Sequence, residues 1–465
     1  MSELPEGWAE AAIADVAEVN PGHPKDLEDD LTVSFVPMPA LSEISSKLDT
    51  EQERPFGTVR TGYTHFAEGD VLFAKITPCM ENGKAAVASG LRNGLGCGST
   101  ELHVLRPRDG MSAQYLYHFV HQESFRREAA ANFTGTAGQL RVPVDFIRNA
   151  LIPLAPKKEQ RRIVRKLALL IEKMRSSEER LDEIPTILKR FRQSVLAAAC
   201  SGRLTADWRR TNRVPLASWK ELPASEACTS VDCGSTPDKA RFQSRPGVPF
   251  LKVYNVVNQR IDFEYRPQYV SQETHSKQLK RSIVKPNDVL MNIVGPPLGK
   301  VAIVPAKYNE WNINQALVKF RAGPELDYWF LYYLLCSGVP YREVLEETRG
   351  SAGQSNISLS QCRNMIFSVP TLQEQQEIIS QIQMMFALAD RIQTRYENAK
   401  LQVDKLTQSV LAKAFRGELV PTEAEIARRE GRSFETADQL LERIHRERAT
   451  PAKSVSTTRA ARARG

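Results

Sequence analysis

Two stretches of the chain carry apolar residues at alternating steps of four and three, which is the spacing of one face of a paired helix. The first series runs from Ile163 to Val195, with Ser177 as its one polar member, and the second runs from Ile378 to Val410. Glu, Lys, Arg and Gln flank both series, so we predict two long helices that form a coiled coil. The predicted seam consists of Ile163, Leu167, Leu170, Met174, Leu181, Ile184, Leu188, Phe191 and Val195, and of Ile378, Ile382, Met385, Ala389, Ile392, Tyr396, Ala399, Val403, Leu406 and Val410.

The ends of these helices are also marked in the sequence. Gly202 and Gly417 are suitable helix stops, and Pro185 is expected to kink or briefly break the first helix. A helix of about 40 residues is about 60 Å long, which is too long for a surface helix packed only on its own domain. We therefore expect the two helices to pack on each other, and to run antiparallel because each follows its own variable region.

The chain contains one long internal repeat. Residues 136–164 and 351–379 align without a gap, with Gln160 on Gln375, and the match continues from 193–204 to 408–419 at the same offset of 215. Upstream, the offset drifts from 218 at Asp70 and Asp288 to 216 at Lys84 and Lys300. A period this long is not that of a solenoid repeat, so the chain is predicted to be a duplicated two-part module.

The regions between the helices read as mixed α/β domains, because short apolar runs such as "DVLFAKI" and "TELHVLRP" lie between Gly, Pro and Asn turn signals. We predict an α+β fold with two similar mixed α/β domains, two long helices in an antiparallel coiled coil, and a pseudo-two-fold repeat. The predicted divisions are 1–155 for the first variable domain, 156–210 for the central helix, 211–368 for the second variable domain, 369–420 for the distal helix, and 421–465 for a C-terminal helix and a basic, disordered tail.

Composition and charge narrow the function. The net charge of +8 and the isoelectric point of about 9.0 favour an anionic partner such as nucleic acid. No apolar run is long enough to span a membrane and the N-terminus does not resemble a signal peptide, so we expect a cytoplasmic protein with no membrane partner. Among the seven cysteines, Cys228 and Cys233 are spaced as in some metal sites but lack a second ligand pair, and buried or incidental thiols are the better interpretation.

Matching loops of the two variable domains are rich in the residue types that read DNA bases: Arg and Lys suit guanine, Asn and Gln suit adenine, and Ser or Thr adapt to either. Any one of these side chains could instead be an ordinary solvated loop residue, so the clusters carry the prediction. The candidate DNA-binding residues are Lys75, Thr77, Lys84, Thr134, Gln139 and Arg141 in the first domain, and Lys252, Tyr254, Asn255, Asn292, Lys300, Gln354 and Asn356 in the second.

The sequence shows no motif of a catalytic centre. It has no phosphate-binding loop, no Asn-Pro-Pro-aromatic tetrapeptide of an amino methyltransferase, no H-E-x-x-H and no G-x-S-x-G. We therefore predict a chain with no catalytic residues, no metal and no cofactor of its own.

Four segments resemble the specificity subunit of type I restriction–modification systems: "LPEGW" at 4–8, the helical blocks 159–209 and 374–419, and "ADQLLERIHRERA" at 437–449. The resemblance implies that each variable domain is a target recognition domain that reads one half of a split target in double-stranded DNA. It also implies that the coiled coil sets the spacer and docks two methyltransferase subunits, and that motor–endonuclease subunits join. Those partners would use S-adenosylmethionine, ATP and Mg. The first helical block ends "GRLTADWRR", and no matching tryptophan follows the second, which puts an equal role of the two ends in doubt.

Two other classes of protein remain as alternatives. A fused methyltransferase–specificity protein would need cofactor and target-amine motifs. A pure coiled-coil interaction protein would leave two similarly built variable domains with matching polar loops unexplained.

Overall fold

The computed structural model describes residues 3–24, 26–43, 46, 48, 52–136, 139–243, 247–295, 297–344 and 356–449. The chain forms two compact units, of which unit 1 is Met1–Arg180 with Ala399–Gly465 and unit 2 is Leu181–Asn398. Each unit thus contains one variable domain and one part of each long helix. The five divisions made from the sequence stay a prediction, and the tail from residue 450 onward lies outside the described residues.

Unit 1 contains three small sheets. A terminal ribbon pairs two antiparallel strands, an antiparallel sheet has four strands, and a mixed sheet has four strands, two of which run parallel. In spatial order the ribbon is Ala9–Ala12 and Leu151–Leu154; the antiparallel sheet is Ala17–Val19, Leu102–Pro107, Val71–Ala74 and Ala85–Val87; and the mixed sheet is Glu53–Pro55, Thr32–Val36, Leu95–Gly98 and Thr64–Ala67.

The helices of unit 1 cover the antiparallel sheet and close the core against the long helices. Tyr115 is fully buried, and its ring lies 4.7 Å from that of Phe415 at the end of the second long helix. The short helices are Ile13–Val16, Phe56–Val59, Ala113–Val120, Glu123–Ala131, Val144–Asn149, Glu423–Glu430 and Ala437–Ala449, with 3₁₀ turns at Met38–Ala40 and Arg92–Gly94.

Unit 2 repeats this plan. It has the same kind of terminal ribbon, antiparallel sheet and mixed sheet, and its mixed sheet again contains one parallel pair, Val248–Leu251 with Trp311–Ile313. In spatial order the ribbon is Lys220–Pro223 and Ile366–Val369; the antiparallel sheet is Cys228–Cys233, Leu317–Ala322, Val289–Asn292 and Val301–Ile303; the mixed sheet is Phe242–Gln243, Tyr269–Val270, Val248–Leu251, Trp311–Ile313 and Ile283–Val284; and a further hairpin is Val256–Val257 and Arg260–Ile261.

The helices of unit 2 occupy corresponding places, with Tyr328–Cys336 packed on the antiparallel sheet as Ala113–Val120 is in unit 1. The short α-helices are Ala206–Asn212, Ala224–Ala227, Tyr328–Cys336 and Leu359–Arg363; the 3₁₀ turns are Leu216–Ser218, Lys239–Arg241, Val253–Asn255, Lys280–Ser282 and Val339–Tyr341; and Thr274–Gln278 is a π-helical turn. The prediction of an α+β fold with two similar domains is confirmed.

An ion pair at equivalent positions confirms how the two sequences align. Asp70 binds Arg106 at 2.8 Å in unit 1, and Asp288 binds Arg321 at 2.7 Å in unit 2. Each carboxylate also accepts a hydrogen bond from the backbone amide three residues before it. The drift in offset that follows arises in the turn after these strands, which takes residues 75–84 in unit 1 and 293–300 in unit 2.

The first long helix consists of Lys157–Asp182 and Ile184–Cys200, and the second is the continuous helix Leu372–Phe415. The interruption at Glu183 comes two residues before Pro185, as predicted, because proline cannot donate a helical hydrogen bond. Gly202 and Gly417 follow the helix ends with φ values of +72° and +73°, so both act as the predicted stops.

The two helices run antiparallel within each unit. In unit 1, the Thr407 hydroxyl lies 3.4 Å from the Met174 sulfur, while Ile163, nearer the start of the first helix, shares the core with Phe415. In unit 2, Arg192 binds Asp390 at 2.7 Å, and Asp182, earlier in the first helix, lies 3.5 Å from the hydroxyl of Tyr396, later in the second. In unit 1 the start of the first helix lies beside the end of the second, and in unit 2 the end of the first lies beside the start of the second. This is the antiparallel arrangement that the coiled-coil prediction requires.

Two of the predicted seam residues, Leu406 and Ile392, need correction. Leu406 has 53% of its surface exposed and Ile392 has 38%, whereas Thr407 faces Met174. A straight α-helix drifts by about 20° per heptad from a 3.5-residue repeat, so a strict step pattern leaves the contact line over a long helix. The buried seam residues are Ile163, Leu167, Met174, Leu188, Val195, Ile378, Ile382 and Ala389; those partly buried are Leu170, Leu181, Ile184, Phe191, Met385, Tyr396, Ala399, Val403 and Val410.

Among the described residues, no helix is long and apolar enough to cross a membrane.

Candidate nucleic-acid interface

In unit 1, the predicted residues gather where the strand Val71–Ala74 ends. Arg141 pairs with Ile76, and its backbone exchanges both hydrogen bonds with that of Thr134. The Thr77 amide donates to the Leu140 carbonyl at 3.1 Å, which brings the turn that contains Lys75 and Thr77 beside the segment that contains Gln139 and Arg141. The structure therefore unites residues that are about 60 positions apart in the sequence.

Lys84 belongs to the same cluster, because its carbonyl accepts a hydrogen bond of 3.0 Å from the Ala74 amide. Thr134 and Gln139 are exposed, whereas the Thr77 hydroxyl donates to Glu81 on its own turn. Among the described residues, the ammonium groups of Lys75 and Lys84 form no ion pair. Two such lysines on one turn suit the phosphate backbone of a nucleic acid.

Arg141 has a partner that the sequence did not indicate. Its guanidinium binds the Glu101 carboxylate through two hydrogen bonds, at 2.8 and 2.7 Å, and donates a third to the Gln139 carbonyl at 3.0 Å. The hydrogen bonds from Arg141 hold the pKa of Glu101 below its ordinary value. Arg141 is thus held in place at this edge, and it would have to leave Glu101 to bind a guanine with the same nitrogens.

The sequence does not indicate the Glu101–Arg141 pair, because the two residues are 40 positions apart and only the fold brings them together. Its position before the strand Leu102–Pro107 carries no signal of an ion pair.

In unit 2, three predicted residues lie around the end of the equivalent strand, Val289–Asn292. Lys300 donates its backbone amide to the Asn292 side chain at 2.6 Å, and the exposed Asn356 pairs with Val294. Among the described residues, the Lys300 ammonium forms no ion pair. Gln354 lies outside the described residues.

Asn255 and Asn292 do not fit the role predicted for them. Both are buried, and their amides are used within their own loops. The Asn255 side chain donates to the carbonyls of Asp262 and Tyr265, both at 3.0 Å, and accepts from the Lys252 amide. The Asn292 side chain donates to the Pro297 carbonyl at 2.9 Å. Because each amide satisfies loop backbone groups, both residues shape the loops and cannot reach a base edge in this conformation.

Lys252 and Tyr254 lie on a separate loop. The Lys252 ammonium sits 4.7 Å from the centre of the Phe242 ring, and burial and the nearby Lys239 lower the pKa of Lys252. The Tyr254 hydroxyl donates to the Arg266 carbonyl at 3.3 Å, and burial raises the pKa of Tyr254. The Gln259 side chain, further along this loop, accepts from the Val301 amide at 2.6 Å, so the loop is attached beside the strand that follows Lys300.

A buried carboxylate at the start of each long helix fastens the variable domain to it. Glu159 accepts from the indole of Trp8 at 3.0 Å, and Glu374 accepts from the indole of Trp219 at 2.9 Å. The next residue in each helix is a buried glutamine that binds the loop before the sheet-packed helix, through the Ser112 amide in unit 1 and the Asp327 amide in unit 2. The repeated "EQ" at 159–160 and 374–375 is therefore the junction that positions each domain.

All seven cysteines are free, including Cys228 and Cys233. Across the described ranges, no group of three His, Cys, Asp or Glu side chains is placed to hold a metal ion.

A family model for the type I restriction modification DNA specificity domain matches residues 5–186 and 217–402. The chain belongs to this family. The two matches correspond to the two copies of the repeat, and membership confirms that the chain is a specificity subunit and not an enzyme in its own right.

Curated relatives agree with this assignment. The specificity subunit of the type I restriction enzyme StySPI from Salmonella potsdam is 28% identical over 90% of both chains. That of EcoKI from Escherichia coli K12 is 30% identical over 68% of both chains. The specificity subunit of EcoAI from Escherichia coli is 46% identical over 167 residues, which are 35% of this chain and 28% of that protein.

Solved structures show the same fold. A chain from a structural study of complex assembly in a type I R-M system has a TM-score of 0.72 at 22% identity, and the alignment covers 90% of this chain and all of that one. The HsdS subunit from Thermoanaerobacter tengcongensis has a TM-score of 0.57 at 22% identity, with 90% and 98% covered.

Proposed function

We propose that this protein recognises DNA for a type I restriction–modification complex, and that each variable domain reads one half of a split target in double-stranded DNA. The observation that carries the proposal is that two diverged domains of one topology present a polar, cationic turn at the same end of the same sheet. Lys84 and Lys300 occupy equivalent places on these turns. Diverged domains of common design suit two different half-sites.

The predicted side chains at these turns divide into two roles, one for three half-buried lysines and one for two exposed amides. Lys75, Lys84 and Lys300 would neutralise phosphates, which orients the protein but carries no sequence information. Gln139 and Asn356 are exposed amides next to these cations, and an amide can bind adenine through two hydrogen bonds. Base discrimination in each half-site is therefore assigned to the segments around these two residues.

The remaining subunits supply the chemistry. Two methyltransferase subunits would dock on the long helices, and motor–endonuclease subunits would complete the complex in the cytoplasm. The relatives support this assignment, since they are named subunits of type I restriction enzymes. S-adenosylmethionine, ATP and Mg belong to those partners, and no residue of this chain is assigned to them.

Base-resolution mapping of N6-methyladenine tests the proposal. The chain would be co-expressed with its methyltransferase partner in the presence of a plasmid library. We expect one split motif with a fixed spacer and a methylated adenine on each strand. Methylation with no common motif, or with one uninterrupted half, would contradict reading by two domains. If the chain had no effect on which DNA sites are methylated, a coiled-coil interaction protein would be favoured.

We also propose that the long helices set the spacer. Inserting four residues after Ser177 adds about one helical turn, so the spacer should lengthen or binding should be lost. Ser177→Ala is the matched control and should leave the spacer unchanged. An insertion variant with full activity and the original spacer would rule out this role of the helices.

A further inference from the structure

A left-handed glycine precedes the equivalent lysine in both domains. Gly83 has a φ of +84° before Lys84, and Gly299 has a φ of +75° before Lys300. Each glycine ends the turn that leads out of the strand Val71–Ala74 or Val289–Asn292. A residue with a side chain is strained at such a φ, so both turns depend on glycine.

In unit 1, the Gly83 backbone rests on two side chains from the neighbouring helical region. A β-carbon at Gly83 would lie 2.8 Å from Nη1 of Arg126 and 3.2 Å from Cε1 of His121. The same Nη1 donates to the Glu81 carbonyl at 2.6 Å. Arg126, from the helix Glu123–Ala131, thus contacts the turn at both Glu81 and Gly83.

In unit 2, Gly299 rests on Tyr341. A β-carbon at Gly299 would lie 3.0 Å from Cζ of this tyrosine, whose hydroxyl donates to the Leu335 carbonyl at 3.0 Å. Tyr341 is buried, and it follows Arg126 by 215 positions, the offset of the matching parts of the repeat. The same position in both copies therefore supports the same glycine turn.

The two supports differ along with the turns above them. Arg126 lies beneath the turn of residues 75–84, which Met80 also anchors by its full burial in the core. Tyr341 lies beneath the turn of residues 293–300, which is two residues shorter and which the buried Asn292 braces. A difference in the supporting residue is thus paired with a difference in the length of the lysine-bearing turn.

We propose that Arg126 and Tyr341 are positioning residues for target recognition, each of which holds from beneath the glycine turn that presents Lys84 or Lys300 to its own half-site. This inference rests on the proposed function and extends it to residues on the far side of the turn. Loss of either support lets its turn move, which displaces one lysine and the base-reading segment beside it.

Arg126→Ala and Tyr341→Ala test the inference. Each full-length variant, with the methyltransferase partner, would be assayed on duplexes in which the first or the second half of the wild-type target is scrambled. We expect Arg126→Ala to reduce discrimination at the first half-site by about tenfold and to leave the second unchanged, and Tyr341→Ala to do the reverse. Tyr341→Phe, which keeps the ring, and Arg127→Ala, on the exposed side of the same helix, should both stay within about twofold of wild type.

Thermal melting of each variant shows whether the chain is folded. If an alanine variant does not fold, Gly83→Ala and Gly299→Ala take its place, because the added methyl group meets the support directly and should give the same half-site selectivity. If the wild type reads both halves but the variants change neither half, or both equally, the inference fails and the proposed function stands. A wild-type chain that reads no target overturns both.

Discussion

Glu159 and Glu374 occupy the same place in the two units, and both are buried at the start of a long helix against an indole. Their other partners differ. Glu374 binds the Arg209 guanidinium at 2.6 Å and the Thr205 hydroxyl at 2.7 Å. Glu159 accepts instead from the backbone amide of Glu423 at 2.7 Å, and Glu423 itself binds Arg162 and Arg432.

The comparison of the two junctions shows which part of them is constrained. In both units, the segment after the helix stop supplies the second partner, so the missing tryptophan after the second helix does not remove the junction. The second unit compensates its buried carboxylate with a cation, whereas the first places it at the start of the helix Glu423–Glu430, where free amides and the helix dipole favour an anion. The carboxylate and its indole stay the same while the remaining partner changes.

The largest effect should follow from Arg209→Ala. This change leaves Glu374 buried without its cation, and breaking a buried pair on one side typically costs about 3–5 kcal/mol. Hydrogen-exchange mass spectrometry should show the loss of protection in unit 2. Arg210→Ala, which removes an exposed pair with Asp207, is the control and should change stability by less than about 0.5 kcal/mol. Equal effects of the two changes would contradict the account of the junction.

The next largest effect should come from the helix seam, where one substitution in each unit can be compared. Ile382 is fully buried in unit 2, so Ile382→Ala should cost about 2–4 kcal/mol through lost burial and a cavity. Leu406 in unit 1 is more than half exposed, so Leu406→Ala should cost less than about 0.5 kcal/mol. Denaturant unfolding followed by hydrogen exchange in each unit measures both. A large loss of stability in Leu406→Ala would show that Leu406 packs in the seam after all.

The smallest effect is a pH dependence expected in unit 1. Burial raises the pKa of Glu159 above its ordinary 4.5, and the nearby Glu423 adds to this shift. Burial also acts to raise the pKa of Glu423, but hydrogen bonds from Arg162 and Arg432 bring it below its ordinary value. As pH rises above 4.5, folded Glu159 keeps its proton longer than unfolded Glu159, so this residue lowers stability with rising pH. Glu423 contributes stability that is lost only as pH falls below 4.5.

Glu159→Gln should therefore reduce the loss of unit 1 stability between pH 5 and pH 8, because the amide does not ionise. Urea unfolding at the two pH values, with hydrogen exchange to report on unit 1, measures the difference. Equal losses in the variant and the wild type would show that Glu159 does not contribute to this dependence.

The repeat, the helix stops and the antiparallel helix pair could be predicted from the sequence because they rest on spacing and self-comparison. The alignment of Asp70 with Asp288, at an offset of 218, is confirmed because each aspartate forms an ion pair with an arginine on an adjacent strand. In the second long helix, the alternating steps of four and three wrongly placed Leu406 in the seam. The residue that contacts the first helix there is Thr407.

The roles of individual loop residues could not be predicted in the same way. The sequence does not distinguish an asparagine that binds its own loop from one that reads adenine. The structure does so for Asn255 and Asn292, because it shows their side-chain amides bound to loop carbonyls. Asn292 carried one signal, since it ends a fully buried strand and a buried amide must find partners inside the protein. The Glu101–Arg141 pair and the Arg126 support depend on contacts across 40 or more residues and left no local pattern.

If each unit reads its own half of the target, changing Gln139→Ala together with Arg141→Ala should alter recognition of the first half only. The double variant and the wild type would each be co-expressed with the methyltransferase partner for base-resolution methylation mapping, and Arg148→Ala, at an exposed position of the helix Val144–Asn149 in the same domain, is the control. Loss of Arg141 also leaves the Glu101 carboxylate unpaired where it would repel phosphates. We expect the first half of the motif to relax or disappear in the double variant while the second half and the control stay unchanged. An equal loss of both halves in a folded double variant would contradict independent reading by the two units.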